Sequence, residues 1–206
     1  MPIFSGGVDL NVLAEDNIRT LQLPKGRLKP PIAVIMVGVP ASGKSFLARN
    51  LAEALPLAVL SEEEMLKFLA PKITFFKRAQ EQIVALAVKT IEKLIQRGVS
   101  CIFDYSVKKR QDRQTIKQTV EAVGGRLVLI HVDISKDEAY EQISKSNYQV
   151  SRGEKKGVIL NKDLFEYEVA TTMFPITEER PLVYKPKDPD SINTIIEQIS
   201  KIANQG

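Results

Sequence analysis

The sequence reads IAVIMV at residues 32–37, GVPASGKS at residues 38–45 and FLARNLAEAL at residues 46–55, without interruption. The first run is apolar throughout and ends at a glycine, which is typical of a strand buried on both faces of a parallel sheet. In the last run the apolar residues recur at helical spacing until Pro56 ends the pattern. The stretch therefore predicts a central strand, a tight loop and a helix.

The loop at residues 38–45 has the form G-x-x-x-x-G-K-S, the pattern of a phosphate-binding P-loop. Its glycines allow positive φ and close approach to an anion, Lys44 supplies charge to the β- and γ-phosphates, and the Ser45 hydroxyl can ligate Mg²⁺. An ordinary glycine turn is the alternative. We expect ATP and Mg²⁺ as cofactors. The residues expected to bind the nucleotide are Gly38, Pro40, Ala41, Ser42, Gly43, Lys44, Ser45 and Phe46.

Further strands and helices alternate along the rest of the chain. Apolar runs predict strands at residues 57–60, 99–103, 127–132 and 182–184, with helical patterns between and after them. This alternation predicts an α/β fold, a three-layer αβα sandwich with a mainly parallel sheet and its ligand at the carboxyl ends of the strands. We expect one nucleotide-binding domain over residues 31–206. Residues 1–30 look like an N-terminal arm packed on it.

Two carboxylates follow predicted strands and are candidates for catalysis. Asp104 comes directly after the strand at residues 99–103, where it could hold a metal-bound water or face the substrate. Glu63 follows the strand at residues 57–60 and could accept a proton from an acceptor hydroxyl. Each has a structural alternative: Asp104 could cap a helix, and Glu63 could simply favour the positive end of one.

A basic segment near the end of the chain is a candidate lid. A helix is predicted from Ser135 to about Lys145, and residues 147–157 then form a polar, basic stretch without apolar periodicity. Such a segment could swing Arg152 onto the transferring phosphate, or it could be a solvated loop. A second basic group, Lys108–Arg110 with Arg113, begins a predicted helix, where we expect a solvated face or a contact with an anionic acceptor.

The order of these motifs resembles the zeta-toxin and polynucleotide-kinase-like P-loop kinases over about residues 32–175. The P-loop is followed by VLSEE at residues 59–63, CIFDYS at residues 101–106 and the basic lid. The resemblance implies that the loop binds ATP, that Glu63 activates the acceptor hydroxyl and that Arg152 contacts the transferring phosphate. The chain has Glu63 where that family usually has aspartate.

Composition narrows the possible functions. The chain of 206 residues carries a net charge of +4, a single cysteine and a single histidine, and no apolar run of the length that a membrane span needs. A disulfide within the chain and a His/Cys zinc site are excluded, and we expect a cytoplasmic protein that does not span a membrane. The modest positive charge is compatible with nucleic acid as a partner, although phosphate-binding proteins are also basic.

The sequence leaves two main functions open. The first is a kinase that moves the γ-phosphoryl group of ATP to a hydroxyl of a small-molecule, nucleotide or polynucleotide acceptor. The second is an ATP-binding regulatory module or slow ATPase, in which residues 1–30 contact a partner. The acceptor is not identified by the sequence.

Overall fold

The sheet lies at the centre of the molecule and is entirely parallel. The computed structural model describes residues 9–69, 76–154 and 159–204. Within these residues the strands are β1 (Ile32–Val37), β2 (Leu57–Ser61), β3 (Ser100–Ser106), β4 (Arg126–Val132) and β5 (Leu182–Tyr184). Their order across the sheet is β2-β3-β1-β4-β5, so β1 is central as its apolar sequence predicts.

Helices cover both faces of the sheet. They are α1 (Leu10–Thr20), α2 (Lys44–Ala54), α3 (Glu62–Leu69), α4 (Phe76–Gln96), α5 (Arg110–Ala122), α6 (Lys136–Ser151), α7 (Lys162–Ala170) and α8 (Ser191–Ala203). Side chains of β1 alternate between two cores: Ile35 packs with residues of α1, α3, α4 and α5, whereas Met36 packs with residues of α2 and α8. The three-layer αβα sandwich is confirmed.

The N-terminal region contains a helix that the sequence analysis did not predict. Asp9 caps α1 by accepting a hydrogen bond from the backbone of Asn11. Leu13 and Ile18 are buried in the same core as apolar residues of α4. Glu15 forms ion pairs with Lys93 of α4 and with Arg97, the residue directly after α4. The described part of the arm is therefore integrated in the core.

Two further elements are longer than predicted. Strand β3 continues past Asp104 to Ser106, and its register with β1 shifts: Ile35 pairs with Phe103, but Met36 pairs with Ser106. Two residues, Asp104 and Tyr105, are thus inserted in a bulge, which re-aims side chains at the sheet edge.

Helix α6 begins with the expected cap, because Ser135 and Glu138 form a capping box. It then runs to Ser151 instead of ending near Lys145, so the first part of the predicted lid, residues 147–151, is helical. The Asn147 side chain makes two hydrogen bonds to the backbone of Leu160, at 2.8 and 3.0 Å. These tertiary bonds, which have no local sequence signal, hold the last turns of α6.

A small third core lies above the carboxyl ends of the strands. Val39 of the P-loop packs with Ala139 and Ile143 of α6 and with Phe165 of α7. The helices α6 and α7 are thereby placed over the P-loop, where a nucleotide would need a wall.

Candidate functional site

The loop between β1 and α2 has the backbone shape of an anion-binding loop. Gly43 has a φ of +96° and Ala41 a φ of +58°, so one of the two left-handed positions is filled by alanine and not by Gly38. Gly38 is needed for space instead. A Cβ at Gly38 would lie 2.8 Å from Oγ of Ser42 and 3.1 Å from the carbonyl oxygen of Val132. Gly43 is therefore required for its backbone conformation, and Gly38 is required because there is no space for a side chain.

Lys44 begins α2 and folds back over the loop. Its Nζ donates hydrogen bonds to the carbonyl oxygens of Gly38 and Val39, at 3.1 and 2.7 Å, and to Oγ of Ser42 at 3.3 Å. Burial lowers the pKa of Lys44 to about 8, against the opposing effect of the carboxylates of Asp104 and Glu62. A partly desolvated ammonium aimed into an anion loop can bind a phosphate strongly.

Ser45 and Asp104 are brought together by α2 and β3. The Ser45 hydroxyl donates to Oδ1 of Asp104 at 3.0 Å. Burial raises the pKa of Asp104, while the bond from Ser45 and the charge of Lys44 oppose that rise. Two oxygen ligands of this kind fit Mg²⁺, which takes few protein ligands and completes its shell with phosphates and water. The described residues contain no group of three or more His, Cys, Asp or Glu side chains that could hold a metal ion.

Ser106 also supports the loop, a role that the sequence analysis did not assign. Its hydroxyl donates to the carbonyl oxygen of Gly38 at 2.9 Å and accepts from the Gly38 amide at 3.3 Å. The bulge in β3 is what lets Asp104 and Ser106 both reach the loop. A bulge of two residues gives no periodic signal in the sequence, so this contact could not be predicted.

A cleft of about 400 Å³ opens beside the loop. On the loop side it is lined by Ala41, Ser42, Gly43, Lys44, Ser45 and Phe46, which are six of the eight residues expected to bind the nucleotide. Its lining also includes four residues of α6, which are Gln142, Ile143, Ser146 and Asn147. Phe46 is about half exposed and offers an apolar ring at the cleft, whereas Pro40 is half-buried in the loop. Gln142, Ile143 and Ser146 carried no motif that could have identified them, whereas Asn147 is the first residue of the predicted lid.

Two neighbouring glutamates at the start of α3 face different surroundings. Glu63 is exposed, and its carboxylate pairs with Lys67 at 2.6 Å along the helix. Glu62 is half-buried, and burial raises its pKa against the charges of Lys108 and Lys44. Its carboxylate therefore lies in the electrostatic surroundings of the P-loop lysine. Glu62, which was not among the candidate catalytic residues, is thus the one of the two that burial and these cations act on.

The sequence analysis expected the basic residues at the start of α5 to form a solvated face or to contact an anionic acceptor. The structure shows that two of them are buried in ion pairs instead. Arg113 is only 2% exposed and forms a double ion pair with Glu179, at 2.7 and 2.8 Å. Lys108 is largely buried and pairs with Glu168 of α7. Lys109 is exposed, with its closest carboxylate, Glu81, at 4.0 Å. The sequence pattern could not show that Lys108, in the loop before α5, and Arg113, in its first turn, point inward.

Arg152 lies at the end of α6 and is exposed. Its Nε pairs with Glu154 at 2.7 Å, and its Nη1 donates to the Tyr148 hydroxyl at 3.0 Å. Lys155 and Lys156, the other cations of the predicted lid, lie outside the described residues. Contact of Arg152 with a phosphate stays a prediction.

Comparison with known families decides the relationship of this chain. The sequence model of the AAA domain family matches residues 34–157, which include the P-loop, Asp104 and Arg152. The chain belongs to this family. A search of curated proteins found no match.

None of the described helices is long and apolar enough to cross a membrane.

Several solved structures share the fold. A putative kinase from Chloroflexus aurantiacus superposes with a TM-score of 0.66 at 19% identity, covering 88% of this chain and 100% of its own. A gluconokinase from Sinorhizobium meliloti gives 0.59 at 16% identity, with coverages of 86% and 95%. The Mycobacterium tuberculosis APS kinase, solved with AMPPNP and APS, gives 0.57 at 16%, with coverages of 84% and 97%. At these identities the likeness establishes the fold. Together with the family match, it makes this chain a P-loop, kinase-like nucleotide-binding protein.

Proposed function

We propose that the chain is an ATP- and Mg²⁺-dependent kinase that transfers the γ-phosphoryl group to a hydroxyl of a small-molecule, nucleotide or polynucleotide acceptor. The observation that carries the proposal is the Ser45–Asp104 hydrogen bond of 3.0 Å beside Lys44, with Glu62 in the same electrostatic surroundings. A phosphate-binding cation, a pair of metal ligands and a carboxylate with a raised pKa are the parts that phosphoryl transfer needs. The kinases among the structural neighbours support the reaction class.

Each residue of the site has a separate role in the proposed reaction. Lys44 and the loop amides would bind the β- and γ-phosphates, while Ser45 and Asp104 would hold Mg²⁺, which neutralises charge on those phosphates when bound. Glu62 would take the proton of the acceptor hydroxyl while the oxygen of that hydroxyl forms a bond to the γ-phosphorus. The bond from that phosphorus to the β–γ bridging oxygen then breaks and leaves ADP. Arg152 would stabilise the transferring group from the lid.

The finer relationship also belongs to the proposal. A zeta-toxin or polynucleotide-kinase-like ancestry agrees with the order of P-loop, strand-end carboxylates and late basic segment. It would place a base after β2, where Glu62 and Glu63 both stand. A cytoplasmic location agrees with the single cysteine, Cys101, which is free and buried.

The test is a search for ATP-dependent phosphorylation over metabolites and 5′-hydroxyl oligonucleotides, followed by two matched variants. Glu62→Gln should lower the turnover rate by about 10²-fold or more with nearly unchanged ATP affinity, because a general base is lost and the shape is kept. Glu63→Gln is the control and should retain the parental rate. The reverse result would assign the base to Glu63 as the resemblance implies. ATP binding without transfer to any acceptor would favour the regulatory module or slow ATPase.

A further inference from the structure

A largely buried ion pair between Lys108 and Glu168 links the loop after β3 to α7. Lys108 lies in the loop between β3 and α5, Glu168 lies on α7, and each side chain is only 17% exposed. The Nζ of Lys108 donates to Oε2 of Glu168. A lysine with so little exposure to solvent needs an anion beside it, because a buried charge without a partner would destabilise the fold.

The main chain at Lys108 is held firmly. Its carbonyl oxygen accepts hydrogen bonds from Nη1 of Arg113, at 3.0 Å, and from the amide of Met173, at 3.1 Å. One residue earlier, the Val107 amide donates to Met36 of β1 at 2.9 Å. The backbone is thus anchored to the central strand and to α5, and a change of partner at Lys108 would involve its flexible side chain alone.

Lys108 also follows closely on β3, the strand that supports the P-loop. Two residues before Lys108, the Ser106 hydroxyl bonds both the carbonyl oxygen and the amide of Gly38, the first residue of the P-loop. The same carbonyl oxygen accepts a hydrogen bond from Nζ of Lys44 at 3.1 Å. Lys44 and Lys108 thus bring two ammonium groups to one phosphate-binding loop, and an anion that binds near both is stabilised by both charges. The γ-phosphate of ATP, at the end of the triphosphate next to the acceptor, would supply that anion.

We propose that Lys108 is a second phosphate-binding cation that contacts the γ-phosphoryl group of bound ATP, and that Glu168 is the carboxylate that neutralises Lys108 until the triphosphate arrives. The inference deepens the proposed function and rests on its ATP-binding part. It gives opposite predictions for the two members of the pair. Loss of Lys108 removes a γ-phosphate contact, whereas loss of the Glu168 charge removes a competitor for that contact.

The experiment measures the affinities of ADP and of AMPPNP, both with Mg²⁺, by calorimetry. Their ratio isolates the γ-phosphate. Lys108→Met should leave the ADP affinity nearly unchanged and reduce the preference for AMPPNP by about tenfold or more, as expected for a charged hydrogen bond. Glu168→Gln should increase that preference. Lys109→Met, the exposed neighbour with no carboxylate closer than 4.0 Å among the described residues, should leave it unchanged.

An unchanged ratio in folded Lys108→Met protein, or a reduced ratio in Glu168→Gln, would overturn the inference. So would equal affinities of the parent protein for the two nucleotides. If Lys108→Met does not fold, Glu168→Gln decides alone, because its side chain keeps its size. The ratio needs no acceptor, so a chain that transfers no phosphoryl group but shows the expected ratios would lose the proposed kinase activity and retain this role for Lys108.

Discussion

The buried guanidinium of Arg113 leads to a prediction about stability. It bonds Glu179 through two nitrogens, at 2.7 and 2.8 Å, and its Nη1 donates to the carbonyl oxygens of Val107, Lys108 and Met173, each at 3.0 Å. One side chain therefore joins α5, the loop after β3 and the segment that leads into β5. In Arg113→Met all five hydrogen bonds are lost. The Glu179 carboxylate is then left charged, without its cation and with little contact with solvent.

The expected magnitude follows from burial. Arg113 is 2% exposed and Glu179 15% exposed. Breaking a buried pair by removing one partner costs about 3–5 kcal/mol, whereas an exposed pair contributes about 0–1 kcal/mol. Against a typical unfolding free energy of about 5–15 kcal/mol, the variant should fold but lose a large fraction of its stability.

Urea unfolding measures this loss through the midpoint and slope of the transition. Arg110→Met is the control, because Arg110 is exposed at the start of the same helix, and its free energy of unfolding should change by about 0.5 kcal/mol or less. Adding Glu179→Leu to Arg113→Met should recover part of the loss, since the unpaired charge is removed. A loss below about 1 kcal/mol in Arg113→Met would refute the reasoning that this ion pair is a buried one.

Two other predictions concern the loop and the first helix. Gly38→Ala places a Cβ 3.1 Å from both the side chain and the carbonyl oxygen of Val132; we expect ATP affinity in calorimetry to fall about tenfold or more, and an unchanged affinity would contradict the packing role. Hydrogen bonds from Lys93 and Arg97 lower the pKa of Glu15 from 4.5 to about 2. Because the folded pKa lies below the unfolded one, the stabilisation is present above pH 4.5 and is lost as the pH falls towards 2. Thermal unfolding at several pH values should show that the stability gap between the parent and Glu15→Gln closes over this window, and parallel curves would contradict it.

The sheet and the P-loop could be predicted because their signals are local. The apolar run Ile32–Val37 and the spacing of Gly43 and Lys44 each determine a structure within a few residues. The bounds of β5 were also predicted, since Leu182–Tyr184 is apolar between polar neighbours. Propensity and pattern suffice where a segment's environment is uniform along its length.

Features that depend on tertiary contacts could not be predicted. Helix α1 was missed because its stabilisation comes from packing on α4, where Leu13 is buried, and not from a strong helical pattern. The choice between Glu62 and Glu63 depends on the rotation of α3 about its axis, which a run of three glutamates does not show. Lys108 and Arg113 looked like surface cations because the carboxylates that accept them come more than fifty residues later.

Strand β3 holds the P-loop at both of its ends. Ser106 bonds the amide and carbonyl of Gly38, where the loop begins, and Asp104 bonds the hydroxyl of Ser45, where α2 has started. The distance between the two ends of the loop is therefore fixed by two residues of the same strand. A loop fixed in this way loses little conformational entropy when a triphosphate binds, so more of the interaction energy is available as affinity. It also means that ligand contacts that displace β3 would change the shape of the loop at both ends at once.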